Sequence, residues 1–174
     1  FGFTYFQQPV THFTVNANGF AQLWNTASPT RTFGGPTYNN VDMPNASAPN
    51  SVVAPFWDDM RNRNATAIVR TQVFGTAPNR RFVIEWFDVA PWTSAMPILE
   101  TMRYQAHFEE TTNAIEFHYC QLDAGGQTDT ARLARLLGAE ATFGLEDAAG
   151  MTAAKRAFNT PGTASTATSY RFTP

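Results

Sequence analysis

Between Met102 and Cys120 the chain alternates apolar and polar residues twice, on either side of a polar turn. Met102, Tyr104, Ala106 and Phe108 alternate with Arg103, Gln105, His107 and Glu109; Ile115, Phe117 and Tyr119 alternate with Glu116, His118 and Cys120. A period of two puts each set on one face of a strand. A turn centred on Thr111-Thr112 would set Phe108 against Ile115, Ala106 against Phe117 and Tyr104 against Tyr119. The opposite face would then carry His107 beside Glu116 and Gln105 beside His118. Such a hairpin has one apolar face and must bury it against a second layer.

The rest of the chain repeats the pattern. His12 to Asn16 alternates, with Phe13 and Val15 on one face, and Asn18-Gly19 then marks a hairpin turn before Phe20 to Trp24. Ser51 to Trp57 reads as a short buried strand in which Pro55 demands an edge, an end or a bulge. Thr66 to Phe74 is a further strand. After the turn Gly75 to Arg80, Arg81 to Asp88 carries apolar residues on both faces, as a central strand covered on both sides would. Ala141 to Glu146 and Tyr170 to Phe172 complete the β pattern. Thr128 to Leu137 departs from it: Leu133, Leu136 and Leu137 share helical spacing, Thr128 or Asp129 can cap the start, Gly138 can end it, and Arg132 and Arg135 can point outward. A long loop from about Asn25 to Asn50 contains Gly34-Gly35-Pro36, and must be tied down or functional. About ten short strands and one helix near 128–137 predict an all-β, antiparallel two-sheet β-sandwich, with Phe56, Trp57, Phe82, Trp86, Phe108, Phe117 and Phe143 holding the sheets together. No fixed-period repeat suggests a propeller or solenoid.

Composition narrows the function classes. A length of 174 residues suits a single domain over 1–174, and 15% charged residues is too few for a disordered chain or coiled coil. A net charge of −2 removes charge-driven nucleic-acid binding as a default. No run approaches the ~20 apolar residues of a membrane span. Cys120 is the lone cysteine, which excludes an intrachain disulfide and a cysteine zinc site and suggests a small core residue. The chain opens on Phe1-Gly2-Phe3, without a leader, as a processed protein or excised fragment would.

No nucleophile elbow, phosphate loop or H-E-x-x-H motif is present. His107, His118 and Glu116 share a predicted sheet face and could hold a transition metal, although such residues are also ordinary on a solvated face. The pair Asp58-Asp59 follows a buried strand. With Asp42, Asn40 and loop carbonyls it could bind calcium, or a carboxylate could simply accept backbone N–H bonds and fix the turn. A second acidic pair, Glu146-Asp147, reads as a strand end. Arg61, Arg63, Arg80 and Arg81 form two basic spots that are solvated or meet a carboxylate-bearing partner. Trp92 and Trp24 could be exposed platforms for carbohydrate stacking. The aromatic segment Phe1 to Phe6 could add to a neighbour's sheet edge. Asn45-Ala46-Ser47 and Asn64-Ala65-Thr66 are glycosylation sequons by pattern alone.

The order of these segments resembles the nidogen-like (NIDO-type) extracellular β domains. The carrying residues are Phe13 to Phe20, the block Asn50 to Asp59 ending in Pro-Phe-Trp-Asp-Asp, Gly75 to Trp86, Ala114 to Tyr119 and Ala141 to Asp147. The resemblance implies a secreted, extracellular or cell-surface module without common catalysis, and makes the 128–137 helix look like an insertion. The expected function is adhesion, surface display or structural assembly with a protein or glycan surface partner. A filament subunit using N-terminal strand addition and a carbohydrate-binding module are the alternatives, and no cofactor is expected unless the acidic residues bind calcium.

Overall fold

The computed structural model describes residues 1–25 and 37–174; Gly34-Gly35-Pro36 of the predicted long loop lies outside them. Among the described residues the order is β1 (Phe3–Tyr5), β2 (Gln8–Val10), β3 (His12–Asn16), β4 (Phe20–Trp24), β5 (Val52–Trp57), β6 (Met60–Asn62), β7 (Ile68–Phe74), β8 (Arg81–Pro91), β9 (Thr101–Glu109), β10 (Ile115–Asp123), α1 (Thr130–Leu136), β11 (Thr142–Glu146), β12 (Ala153–Phe158) and β13 (Thr168–Phe172). One sheet runs β12-β11-β5-β4-β3; the other runs β13-β10-β9-β8-β6, with β7 also on β8; β1 and β2 form a separate hairpin. The strand pairs are antiparallel, and two sheets facing each other across an apolar core make the predicted β-sandwich. The strands beyond the expected ten are short, as in β6, or carry alanine where a strand signal needs bulk, as in β12.

The β9–β10 hairpin has the predicted register, with Phe108 opposite Ile115, Ala106 opposite Phe117 and Tyr104 opposite Tyr119. Its apolar face supplies much of the core. Trp86 stacks on Tyr104 with centroids 5.3 Å apart, and Phe56 from the other sheet reaches both Tyr104 and Phe143. Strand alternation turns Trp57 the other way. With Phe20, Met43, Val52 and Ala54 it forms a second apolar cluster, so it does not hold the sheets together as expected. Pro55 sits where two β5 residues oppose one of β11, a bulge, which is one of the three settings expected for it, and β5 is central in its sheet.

The outer face of β8 is covered by side chains rather than by a layer. Buried Glu85 accepts from Arg70, Arg103 and Gln105 at 2.5–2.7 Å, and both arginines lie over the Phe87 ring. At Asp88, where φ is +58°, the register slips. That bulge divides the β8 edge between β7, paired to residues 81–87, and β6, paired to 89–91. Cys120 also sits at a bulge, in β10, and is exposed rather than a core residue.

The N-terminal aromatics fold onto their own chain. Phe3 and Tyr5 are buried in the main core, and the Tyr5 hydroxyl donates to the Val52 carbonyl at 2.5 Å while accepting from the Glu146 amide at 3.0 Å. The Glu146 carboxyl is fully buried; Oε1 accepts from the Asn45 amide and Oε2 has no partner. Burial, opposed by the Asn45 hydrogen bond, pushes its pKa up to about 7.

Trp86 has no exposed surface and donates through its indole to the Asn16 carbonyl across the sandwich at 2.9 Å. Trp86→Ala is expected to cost about 3–5 kcal/mol of unfolding free energy, read by urea denaturation. Glu146 should leave a pH signature of definite sign. A raised folded pKa means that the folded chain holds the proton more tightly. Its contribution therefore favours the fold at low pH and is lost as pH rises from about 4.5 through about 7. Glu146→Gln should match the parent near pH 4 and exceed it at pH 8 by on the order of 2 kcal/mol, seen as a flatter stability–pH curve.

Candidate functional site

The signature residues Asp58 and Asp59 lie where the chain leaves β5 in one sheet and enters β6 in the other. The Asn18-Gly19 turn positions them: the Asn18 carbonyl accepts from the Asp58 amide at 3.3 Å and Asn18 Oδ1 accepts from the Met60 amide at 2.9 Å. Asp58 is 4% exposed, and its Oδ1 accepts from the Asp59 amide at 2.7 Å, the turn-fixing role considered above.

The Asp58 charge is met from the helix. Asp129 caps α1 by accepting from the Ala131 and Arg132 amides. Both arginines predicted to point outward turn inward, with only 16% and 18% of their side chains exposed. Arg132 pairs with buried Glu100 at 2.5 Å. Arg135 donates to both Asp58 oxygens at 3.1 Å and to the Trp92 carbonyl at 2.6 Å, and pairs with Glu140 at 2.8 Å. Burial still pushes Asp58 up to about 6, against the pull of Arg135. Burial also raises Asp59.

Asp58, Asp59, Arg135 and Glu140 line a cleft with Tyr38, Asn39, Asn40, Trp92 and Asn159. Trp92 is half-exposed, and Tyr38 supplies a second exposed aromatic that the sequence reading missed. Trp24 is not part of this cleft; its indole donates to Thr14 Oγ1 and it lines a depression beside Asp147. Arg61 donates to the Thr93 carbonyl at 2.8 Å and so holds the Trp92 segment, while Arg63 faces Asp88 at 3.6 Å. Arg80 and Arg81 pair with Glu110 and Glu109. Arg63, Arg80 and Arg81 thus find carboxylates within the chain, and Arg61 a backbone carbonyl.

Of the predicted calcium ligands, Asn40, Asp58 and Asp59 line this cleft together, and Asp42 is not among its lining residues. Asp42 accepts from its neighbour Met43 and from Lys155 at 2.7 Å, and Asp58 is taken by Arg135. Among the described residues, one set of three or more His, Cys, Asp or Glu side chains converges closely enough for a shared ion: His107, Glu116 and His118, with ligand atoms within 4.8 Å of one another. Their rings and carboxylate lie on the outer face of β9 and β10, in the register the alternation predicts. The imidazoles stack at 4.1 Å. Burial, with His118 and Arg81 nearby, pushes the His107 pKa down to about 4. Partial desolvation at the sheet surface raises the Cys120 thiol, the opposite of an activated nucleophile.

A protein-family model described as NIDO related matches residues 1–174, the entire chain. Comparison with curated proteins and with solved structures finds no significant match.

Arg135 neutralises the one buried carboxylate of the signature turn. Arg135→Met should destabilise the chain by about 3 kcal/mol, because it leaves Asp58 buried without its guanidinium. Adding Asp58→Asn should restore most of that loss, a recovery measured by a double-mutant cycle in urea.

Proposed function

The chain belongs to the NIDO-related family, and from that premise we propose that residues 1–174 form one non-catalytic extracellular β-sandwich module that works by surface contact, in structural assembly or adhesion. The observation that carries this reading is the outer edge of β7. Among the described residues β7 pairs only with β8, and Ile68, Val73 and Phe74 are half-exposed there, with half-exposed Phe13 beside Val73. An open apolar edge strand invites another strand. The buried carboxylates Asp58, Glu85 and Glu100 are engaged by arginines, which supports a structural rather than an acid–base role for them.

The sequence of β7 favours a second copy of this chain as the partner. Ile68-Val69-Arg70-Thr71-Gln72-Val73-Phe74 is nearly symmetric about Thr71. Antiparallel self-pairing would set Ile68 opposite Phe74, Val69 opposite Val73 and Arg70 opposite Gln72, with no like charges directly facing. This shifts the assembly reading away from the N-terminal segment, whose Phe3 and Tyr5 are already buried in their own core. A carbohydrate-binding role keeps support from one observation, the exposed Trp92 and Tyr38 in a cleft lined with amides and carboxylates. No helix among the described residues is long and apolar enough to cross a membrane.

Sedimentation over a wide concentration range tests the leading reading. Reversible dimerisation is expected, abolished by Thr71→Lys, which places two like charges across the symmetry axis. A parent chain that stays monomeric throughout, while a glycan array retains ligands that Trp92→Ala loses, would transfer the function to the cleft.

A further inference from the structure

The outer face of the β9–β10 hairpin carries a cluster that neither the cleft nor the β7 edge uses. Hydrogen bonds fix which nitrogen of His107 is available. The Glu85 carboxylate can only accept, so the Gln105 amide that reaches it at 2.6 Å must present its NH2 group there. Gln105 Oε1 therefore faces His107 Nε2, at 2.7 Å, and requires Nε2 to carry the proton. The lone pair is left on Nδ1. That atom is buried and has no hydrogen-bond partner, in a residue only 8% exposed. An imidazole oriented through its second nitrogen by a hydrogen-bonded amide is the arrangement that supports metal ligation.

Two further ligands converge beside it. Glu116 lies directly across the hairpin from His107, and His118 hydrogen-bonds Glu116 at 2.9 Å. One ligand atom from each of the three side chains lies within 4.8 Å of the others, wider than a closed coordination shell. The His118 side chain is partly exposed, and closing the shell requires it to leave its stack on His107. Arg171 of β13 pairs with Glu116 and competes with any cation for that carboxylate.

We propose that His107, His118 and Glu116 form a binding site for a divalent transition-metal ion. Two imidazoles and one carboxylate suit Zn2+ and similar borderline ions, with a water completing the shell. The hard-cation chemistry considered for Asp42, Asp58 and Asp59 does not apply to such a nitrogen-rich set. Gln105 and Glu85 are positioning residues, acting through the His107 ring. The site does not depend on the β7 edge or on the Trp92 cleft.

Zn2+ titrated into chelator-treated protein, followed by calorimetry and by thermal melting, tests the assignment. One saturable equivalent and a raised melting temperature are expected. His118→Gln, on a partly exposed side chain, should weaken binding by at least about tenfold while near-ultraviolet circular dichroism stays unchanged, and His107→Gln should do the same. Arg171→Ala should tighten binding by releasing Glu116. His12→Gln, which alters the exposed histidine of β3, should leave it unchanged. Absence of saturable binding by the parent chain would overturn the proposal, as would undiminished binding by His118→Gln.

Discussion

A Cβ atom on Gly19 would lie 1.8 Å from the Phe56 carbonyl oxygen and 2.7 Å from the Tyr104 hydroxyl. The φ of +81° at this position also suits glycine alone. That approach lets the β3–β4 turn press against the end of β5 at the point where the chain crosses from one sheet to the other. Asn18 then receives the Asp58 and Met60 amides, and Asn16 receives the Trp86 indole from the opposite sheet. The Asn-Gly turn and the Pro-Phe-Trp-Asp-Asp block are thus halves of one joint. A sandwich whose sheets are linked by a short crossover needs such a joint, because crossover amides leave one ladder before they enter the next and must find acceptors nearby.

Around that joint, buried carboxylates are matched by arginines from distant segments. Asp58 takes Arg135 across 77 positions, Glu100 takes Arg132 across 32, and Glu85 takes Arg70 and Arg103. Pairs of this kind contribute little net stability, since desolvation offsets most of their attraction. They penalise wrong arrangements instead: with α1 misplaced, two carboxylates would stay buried without a counter-charge. The planar guanidinium also lets Arg135 serve Asp58, Glu140 and the Trp92 carbonyl at once, which the compact ammonium of a lysine does less well.

Legibility in the sequence followed the range of the forces. The β9–β10 register was readable because alternation and a short turn fix it locally, and it carried the His107–Glu116–His118 cluster with it. The Asn18-Gly19 turn and the Asp129 cap were readable for the same reason. Three readings failed where long-range packing intervened. Arg132 and Arg135 look like the solvated stripe of an amphipathic helix, yet buried Glu100 and Asp58 draw them inward, and no spacing rule joins positions so far apart. Trp57 reads as core from its apolar run, but a strand covered on both faces sends neighbours to different cores. Asp42 and Asp58 read as joint ligands only until Lys155 and Arg135 claim them separately.

The sheet edges differ in a way that bears on how the module meets others. β12 carries Lys155 and Arg156 and β13 carries Arg171, charges that discourage strand addition. β7 carries a single charge, Arg70, already directed to Glu85, with apolar residues on both of its faces. Pairing two copies through β7 about an axis at Thr71 would keep corresponding sheet faces on the same side, because opposed residues in an antiparallel pair point the same way. The two Glu85 networks would then become neighbours across the junction, and the His107–Glu116–His118 clusters would face in one direction, further out on the joined sheet. The β8 strand that carries Glu85 is therefore the structural link between the edge and the histidines, since its outer face orders Arg70 on one side and Gln105 on the other.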